Sequence, residues 1–331
     1  KIYFSSLQQG LSQEDRDRQT AIGIFMENAF AKSSQVRLAA GDLSGIAPEA
    51  EKNGYRFENR LIAGPTGPEI RFSLTALNRN ETVWSTTVAL PESASDYPEQ
   101  LGPIVSRVAS IYGVVATDQR KHLPDEAMIG HACLLRFESY RANRDPELLP
   151  VVESCVKQSL AADPMDSGIL AAASFLAYQR KEQSGNSPDP EAGLQFARRE
   201  DASANFALAR ASFLNGSCVR GKEFAKKAVQ LAPYEATIHA QTGAFLFTCE
   251  DPEAVGYLRR AIALDPRGSI LAETALVLTL LAEGKNREAL EIAEKIVPSS
   301  TGVGPYYDIA MAMVYAKNGM IAKSRQSWNR L

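Results

Sequence analysis

The second part of the sequence repeats one pattern of helix ends, and this pattern restricts the fold more than any other feature. Four helical segments end in a proline, at Pro164, Pro233, Pro266 and Pro298, with separations of 69, 33 and 32 residues. Because proline cannot continue a helix, each proline marks the end of a repeating unit of about 34 residues. The separation of 69 is two such steps, so we expect a degenerate repeat between Pro164 and Pro233. Its interruption is predicted at 182–191, where Gly, Pro and Ser are too frequent for a helix.

The segments that precede the last three prolines share a spacing of small residues. They are GSCVRGKEFAKKAVQLAP (216–233), CEDPEAVGYLRRAIALDP (249–266) and GKNREALEIAEKIVP (284–298). They resemble the second helix of tetratricopeptide repeats, in which small residues such as Ala228 and Ala261 allow neighbouring helices to approach closely. Two positions depart from the pattern, since Gly221 stands where Ala is usual and Pro298 comes early. The resemblance implies that 124–331 form an all-α solenoid of helical hairpins that binds a protein or peptide partner.

Residues 1–120 mix strand and helix patterns. We predict, in order, a strand at 2–4, a helix from Ser12 to Ala31, a strand at 36–39, a weak helix at 48–53, strands at 55–62, 69–77 and 82–90, and a helix at 97–115. The middle run alternates apolar Ile70, Phe72 and Leu74 with polar residues, which is typical of a sheet that is covered on one face only. The predicted fold is therefore an α+β domain with the order β-α-β-α-β-β-β-α.

This first domain resembles the TolB amino-terminal-like domain. The resemblance rests on GYRFENRL at 54–61, the strand at 70–77, and Val83-Trp84 followed by an acidic stretch before the last helix. In bacteria such a domain precedes tetratricopeptide repeats in the periplasmic half of membrane-anchored winged-helix transcriptional regulators, or of class III cyclases. The resemblance thus implies a periplasmic sensing and protein-interaction region whose DNA-binding domain lies outside this chain. The family's usual Gly-Ser-Val is here Asn59-Arg60-Leu61, so no subgroup is assigned.

Charge and hydropathy exclude two kinds of interaction for this chain itself. Its 331 residues carry 36 Lys and Arg against 39 Asp and Glu, a net charge of -3, with no basic stripe for a phosphate backbone. The longest apolar stretch, 271–282, is shorter than the roughly 20 residues of a membrane-spanning helix. We therefore predict no nucleic-acid binding and no transmembrane helix. Because the chain begins at Lys1 without Met, we expect a missing upstream segment to anchor it to the inner membrane.

Two further functions are alternatives. One is a stand-alone tetratricopeptide adaptor or scaffold, cytoplasmic or periplasmic, that holds a partner protein. The other is an enzyme, which the sequence disfavours because it has no phosphate loop or nucleophile elbow, and His122, His131 and His239 are far apart. We predict no catalytic residue, no metal and no cofactor. The sequence leaves open which partner or small-molecule signal is bound and whether the chain forms a homodimer.

The four cysteines lie in two pairs, each symmetric about a predicted turn. Cys133 and Cys155 have their midpoint at residue 144, and Cys218 and Cys249 have theirs between 233 and 234. Residues equidistant from the turn of an antiparallel hairpin lie at the same height, so each pair is placed for a disulfide. Four cysteines allow three pairings, and buried free thiols are the alternative. Disulfides would indicate an oxidising compartment, as the family resemblance does.

The first helices of the repeats are the candidate surface for a partner, because in tetratricopeptide solenoids they line the concave groove. By helical phase we assign to this groove Phe206, Arg210, Phe213, Tyr306, Tyr307, Ile309 and Met313. An extended or helical peptide would bind there. The alternative is that these side chains belong to the core. Trp328, on the closing helix, is predicted to be a core residue.

Overall fold

The computed structural model describes residues 1–5, 11–33, 35–39, 54–123, 129–184, 191, 193–198, 200–266, 270–297 and 305–331. These residues form two compact units, Lys1–His122 and Leu123–Leu331. Within these ranges, no helix has both the length and the apolar character needed to cross a lipid bilayer.

The first unit is an α+β fold built on a four-stranded sheet. Its elements are β1 (Ile2–Phe4), α1 (Gln13–Ala31), β2 (Tyr55–Ala63), β3 (Pro68–Ala76), β4 (Glu81–Ala89), α2 (Tyr97–Gln100), α3 (Gly102–Ala109) and α4 (Val114–Lys121). The strands lie in the order β1-β2-β3-β4, with β1 parallel to β2 and the other neighbours antiparallel. The three consecutive strands predicted between residues 55 and 90 are confirmed to within two residues at each end.

Helix α1 covers one face of this sheet. It begins as predicted, because the Ser12 hydroxyl accepts a hydrogen bond from the amide of Asp15. Its buried face places the Phe30 ring 5.0 Å from the ring of Phe57, which stacks in turn on Phe72 at 5.7 Å. Such aromatic pairs each add about 0.5–1.5 kcal/mol beyond the area they bury. The alternation of apolar residues in β3 therefore does indicate which face is covered.

Two of the predicted elements near the start of the chain are not seen as such. The strand predicted at 36–39 is reduced to an isolated parallel bridge between Leu38 and Ile2. The amide of Ile2 donates to the carbonyl of Arg37 at 2.9 Å, and that of Ala39 donates to the carbonyl of Ile2 at 3.0 Å. The helix predicted at 48–53 lies outside the described residues.

The single helix predicted at 97–115 is instead three short helices, α2, α3 and α4. Pro103 lacks an amide hydrogen, so it cannot continue the hydrogen bonding of α2 and lies in the first turn of α3. The chain then turns at Gly113, the residue before α4. A Cβ atom there would lie 2.8 Å from the Val108 carbonyl oxygen, so this turn requires glycine. The apolar spacing that predicted one helix is shared by three helices that bury the same side.

The second unit is a solenoid of helical hairpins. Its helices are α5 (His131–Asn143), α6 (Leu148–Ala162), α7 (Ser167–Ser184), α8 (Ala202–Leu214), α9 (Cys218–Leu231), α10 (Ala236–Thr248), α11 (Ala254–Leu264), α12 (Ile270–Ala282), α13 (Asn286–Ala293), α14 (Pro305–Lys317) and α15 (Ile321–Trp328). Consecutive pairs pack as hairpins, α5/α6, α8/α9, α10/α11, α12/α13 and α14/α15. We call the first helix of each hairpin its A helix and the second its B helix.

Helix α7 is the A helix of the predicted degenerate repeat. Between α7 and α8, the described residues contain a single turn of 3₁₀-helix, Leu194–Phe196, where the other repeats have a B helix. Leu194 and Ala197 are buried there between Leu170 of α7 and Leu208 of α8. The interruption predicted at 182–191 begins later than expected, because α7 continues as helix to Ser184, and residues 185–190 lie outside the described residues.

The turns between A and B helices have the same backbone conformation in successive repeats. Gly216, Glu250, Gly284 and Gly319 lie 34, 34 and 35 residues apart, and all have a positive φ, of 79°, 55°, 75° and 75°. In each turn the next amide donates to the carbonyl five residues earlier, at 2.8 or 2.9 Å. This is the Schellman arrangement that ends a helix, and glycine adopts it without strain. Glu250 is the one residue of these four that carries a Cβ atom.

Ion pairs link the B helices of successive repeats, or residues next to the ends of those helices, at one repeated offset. In three of these pairs the partners are 29 residues apart, namely Lys222–Asp251, Arg259–Glu288 and Lys323–Glu294. The partly exposed pairs each contribute about 0–1 kcal/mol. Their common offset shows that the last four hairpins stack with the same register.

Replacing Glu250 by glycine should stabilise the solenoid. A side chain in the left-handed region destabilises the folded state by about 1–3 kcal/mol. Glycine avoids this strain, but its greater freedom in the unfolded chain lowers the free energy of unfolding by about 0.5–1 kcal/mol. We therefore expect Glu250→Gly to raise the free energy of unfolding by about 1 kcal/mol, measured by urea denaturation followed by circular dichroism. Glu250→Ala is the control because it keeps the Cβ atom. Equal stability of the Gly and Ala variants would contradict the argument.

Candidate protein-binding site

Phe175 on α7 lies against two arginine side chains from the neighbouring repeats. The guanidinium carbon of Arg144 is 4.6 Å from the centre of the Phe175 ring, and that of Arg210 is 4.2 Å from it. Arg144 belongs to the α5/α6 turn and Arg210 to α8, so three repeats contribute to this arginine cluster. A cation is attracted to an aromatic face, but two like charges on one ring repel each other.

Hydrogen bonds and ring packing hold the arginine cluster in place. Arg144 donates to the side-chain oxygen of Gln179 at 3.2 Å, and Gln179 donates to the hydroxyl of Tyr140 at 2.6 Å. Tyr140 is buried, and the Phe175 ring packs edge-on against Phe137 at 5.4 Å. Tyr140, Phe175 and Arg210 are spaced by 35 residues, so they occupy one position of three successive A helices. The repeat therefore brings these three side chains together.

The groove residues assigned to α8 have different surroundings from those expected. Arg210 belongs to the arginine cluster, whereas Phe206 and Phe213 are only 9% and 8% exposed. Phe213 stacks on Phe245 at 5.0 Å, and its ring fills the space where a Cβ atom of Gly221 would stand, 2.6 Å away. This contact explains why glycine replaces the usual alanine. Helix α8 packs against α7, α9 and α10, so helical phase alone could not separate its partner face from its core faces.

The groove residues assigned to α14 divide into two pairs. Tyr306 and Met313, seven residues apart on one side of the helix, are 67% and 43% exposed. Tyr307 and Ile309 are half-buried, and Tyr307 packs against the hydrophobic core of the last repeats. Burial raises the pKa of the Tyr307 hydroxyl. Tyr306 and Met313 are therefore the accessible apolar groups on this helix.

Trp328, predicted as a core residue, is 63% exposed. It lies nine residues after Gly319, and Ala225 and Ala293 lie at the same distance after their own left-handed turn residues. The following hairpin buries both alanines. Trp328 and Ile321, both on α15, are exposed apolar side chains, because no described helix packs on them as the next hairpin packs on those alanines.

The cysteines form two disulfides, and the structure selects one of the three pairings. Cys133–Cys155 joins α5 to α6 with a Cα–Cα distance of 5.6 Å, and both residues are fully buried. Cys218–Cys249 joins the start of α9 to the end of α10 at 6.0 Å and is partly exposed. Each bridge follows the symmetry about a turn that the sequence shows. In the chain-entropy model, loops of this length give about 3–4 kcal/mol of stabilisation per bridge.

The histidines do not come together. His122 and His131 are exposed, whereas His239 is buried on α10, where its Nε2–H donates to the Pro233 carbonyl at 3.0 Å. Its Nδ1 atom is buried and has no hydrogen-bond partner among the described residues. Burial is the main reason that the pKa of His239 is lowered to about 4. Among the residues described, no three His, Cys, Asp or Glu side chains lie close enough to hold a metal ion.

Comparison with known proteins gives matches to solved structures. No protein-family model matches the chain, and no curated protein does. Nineteen chains of solved structures match. Among them is the crystal structure of MamA, which is 17% identical over 56% of this chain and 96% of the MamA chain, with a TM-score of 0.36. A likeness of this size carries no argument about function.

His239 should make the stability of the protein depend on pH. Its pKa is about 4 in the folded protein and near 6.5 in the unfolded chain, so the unfolded chain takes up the proton first. The stabilisation is complete above pH 6.5 and is lost as the pH falls towards 4, by up to about 3 kcal/mol. We expect His239→Gln to show a shallower loss of unfolding free energy between pH 7 and pH 4. His122→Gln, at an exposed position, is the matched control, and identical slopes for wild type and His239→Gln would refute the assignment.

Proposed function

We propose that this chain is the periplasmic sensing and protein-binding half of a membrane-anchored bacterial signalling protein. Its output part, a winged-helix DNA-binding domain of a one-component transcriptional regulator, would lie outside the chain together with the membrane anchor. An α+β unit followed by a tetratricopeptide-like solenoid is the arrangement that the sequence resemblance implies for such proteins. The proposal assigns no catalytic role and no cofactor to the chain.

The observation that carries the proposal is the use of all four cysteines in two disulfides of the solenoid. Structural disulfides form and persist in oxidising compartments and are rare in the reducing cytoplasm. Cys133–Cys155 has no exposed surface, so a reductant reaches it only when the hairpin opens. A periplasmic location supplies the oxidising conditions that this bridge requires.

The arginine cluster supports a protein-binding role for the solenoid. Arg144, in the α5/α6 turn, and Arg210, on the A helix α8, lie next to the half-buried ring of Phe175. Arginine pairs well with a carboxylate because its planar group can donate two parallel hydrogen bonds. We propose as partner a protein segment that presents an acidic side chain beside an apolar one.

The oxidation state of the cysteines in cells tests the compartment. We expect no free thiols in the denatured, unreduced protein, with peptides that link Cys133 to Cys155 and Cys218 to Cys249, as measured by thiol labelling and intact mass before and after reduction. A Cys133→Ser/Cys155→Ser variant should keep the other bridge and serves as the control. Four free thiols would remove the compartment argument and favour the stand-alone cytoplasmic adaptor instead.

Binding of acidic peptides tests the solenoid surface. On an array of extended peptides, we expect those with Glu next to Leu or Phe to bind, and those with Lys in place of Glu not to bind. Arg210→Ala and Arg144→Ala should each weaken binding about tenfold, since a hydrogen bond to a charged group contributes about 1.5–3 kcal/mol.

Arg287→Ala is the matched control for this experiment. Arg287 is 93% exposed on the B helix α13, away from the arginine cluster. Tyr307→Ala reports on the last hairpin. Peptide binding that is unchanged by both Arg210→Ala and Tyr307→Ala, or equal for Glu and Lys peptides, would count against the proposed surface.

A further inference from the structure

The α+β unit contains a cavity at the edge of its sheet. Strand β4 forms one wall, and the helices α3 and α4 form the other. The cavity volume is about 200 Å³. An apolar cavity of about 150 Å³ is large enough to hold benzene. The cavity therefore has room for a molecule with a single ring and one small substituent.

Trp84 supplies a flat apolar surface in this cavity. It pairs in register with Leu74 of β3, so its side chain lies on the face of the sheet that the helices cover. Trp84 is half-buried, since β4 is the edge strand and no further strand in the described residues covers it. An indole beside a ligand-sized space can stack on a planar group.

Arg107, in the last turn of α3, lines the same cavity. Its Nε atom is buried and has no hydrogen-bond partner among the described residues. Buried donors in folded proteins are almost always paired with protein, water or a ligand. The forked shape of the guanidinium group suits the two oxygens of a carboxylate.

The other charged groups in the lining are Lys121 and Asp118, and they differ in their pairing. Lys121 is exposed at the end of α4 and has no ion-pair partner in the described part of the chain. Asp118 accepts hydrogen bonds from Arg79 at 2.9 and 3.0 Å and from the Tyr55 hydroxyl at 2.7 Å. Its negative charge is therefore already balanced, and the cavity presents two cations to a ligand.

We infer that this cavity is a binding site for a small organic carboxylate with a flat, apolar body. Arg107 and Lys121 would bind the carboxylate group and Trp84 would stack on the ring. The two cations repel an amine of the same size. Inorganic phosphate has no ring that could stack on the indole. The site goes beyond the proposed protein-binding function and does not depend on it.

Benzoate is the probe, and Trp84 is its reporter. The chain has two tryptophans, so Trp328→Phe leaves Trp84 as the single tryptophan. Trp328 is largely exposed, so that change should leave the fold intact. We expect a saturable change in fluorescence when benzoate is added to the full chain. Benzylamine, which has the same ring and the opposite charge, should give none.

Substitution of the two cations locates the site. Arg107→Gln should weaken benzoate binding at least about tenfold, because it removes a charged hydrogen-bonding group. Lys121→Gln, at an exposed position, should weaken benzoate binding less. It tests the site independently if Arg107→Gln does not fold. Arg71→Gln is the matched control, since Arg71 is exposed on β3 and pairs with Thr87, three positions after Trp84 and therefore on the opposite face of the sheet. Circular dichroism of each variant confirms that it is folded.

Three results would overturn the inference. They are the absence of benzoate binding at millimolar concentration, equal binding of benzylamine, and unchanged binding in both folded variants, Arg107→Gln and Lys121→Gln. None of them bears on the solenoid, because the peptide experiments use Arg144, Arg210 and Tyr307 in the other unit. Failure of the cavity and failure of the proposed function are therefore distinguishable.

Discussion

The close approach of helices at small residues is the constraint on which the solenoid depends. A Cβ atom on Gly221 would lie 2.6 Å from the ring of Phe213, and one on Gly243 would lie 2.5 Å from the side chain of Leu258. Close packing leaves no space for larger side chains at such crossings. The turns and the A-helix positions recur every 34 or 35 residues, and the ion pairs share an offset of 29 residues. Arg210 reaches Phe175 for this reason, although 35 residues separate them.

Features with a short or regular spacing were predictable from the sequence, and the partner surface was not. The prolines gave the repeat, and the symmetry about two turns gave Cys133–Cys155 and Cys218–Cys249. Helical phase failed on α8 because nearly every side of that helix is packed, so Phe206 and Phe213 lie in the core. The arginine cluster was missed because Arg144 lies in a turn. Its available signal was the recurrence of Tyr140, Phe175 and Arg210 every 35 residues.

The cavity in the α+β unit depends on a break that periodicity does not reveal. In one continuous helix over 97–115 and beyond, Arg107 and Lys121 would be about 21 Å apart, at 1.5 Å for each of 14 residues. The turn at Gly113 redirects the chain, so both side chains line one small cavity with Trp84. The apolar spacing in the sequence indicates that each short helix is buried on one side. It does not indicate the angle between α3 and α4, which the tight backbone at Gly113 determines.

The proposed signalling role would use the two units differently. Each disulfide joins two helices that already pack together, α5 to α6 and α9 to α10, and so makes separation of those helices more costly. A ligand shifts an equilibrium only by its difference in affinity for two states. If a carboxylate in the cavity is the signal, the two states must differ around Arg107, Lys121 and Trp84, and the solenoid then serves as the constant surface that a partner recognises. A partner that binds this constant surface equally well in both states leaves the carboxylate affinity unchanged, because coupling between two sites is reciprocal.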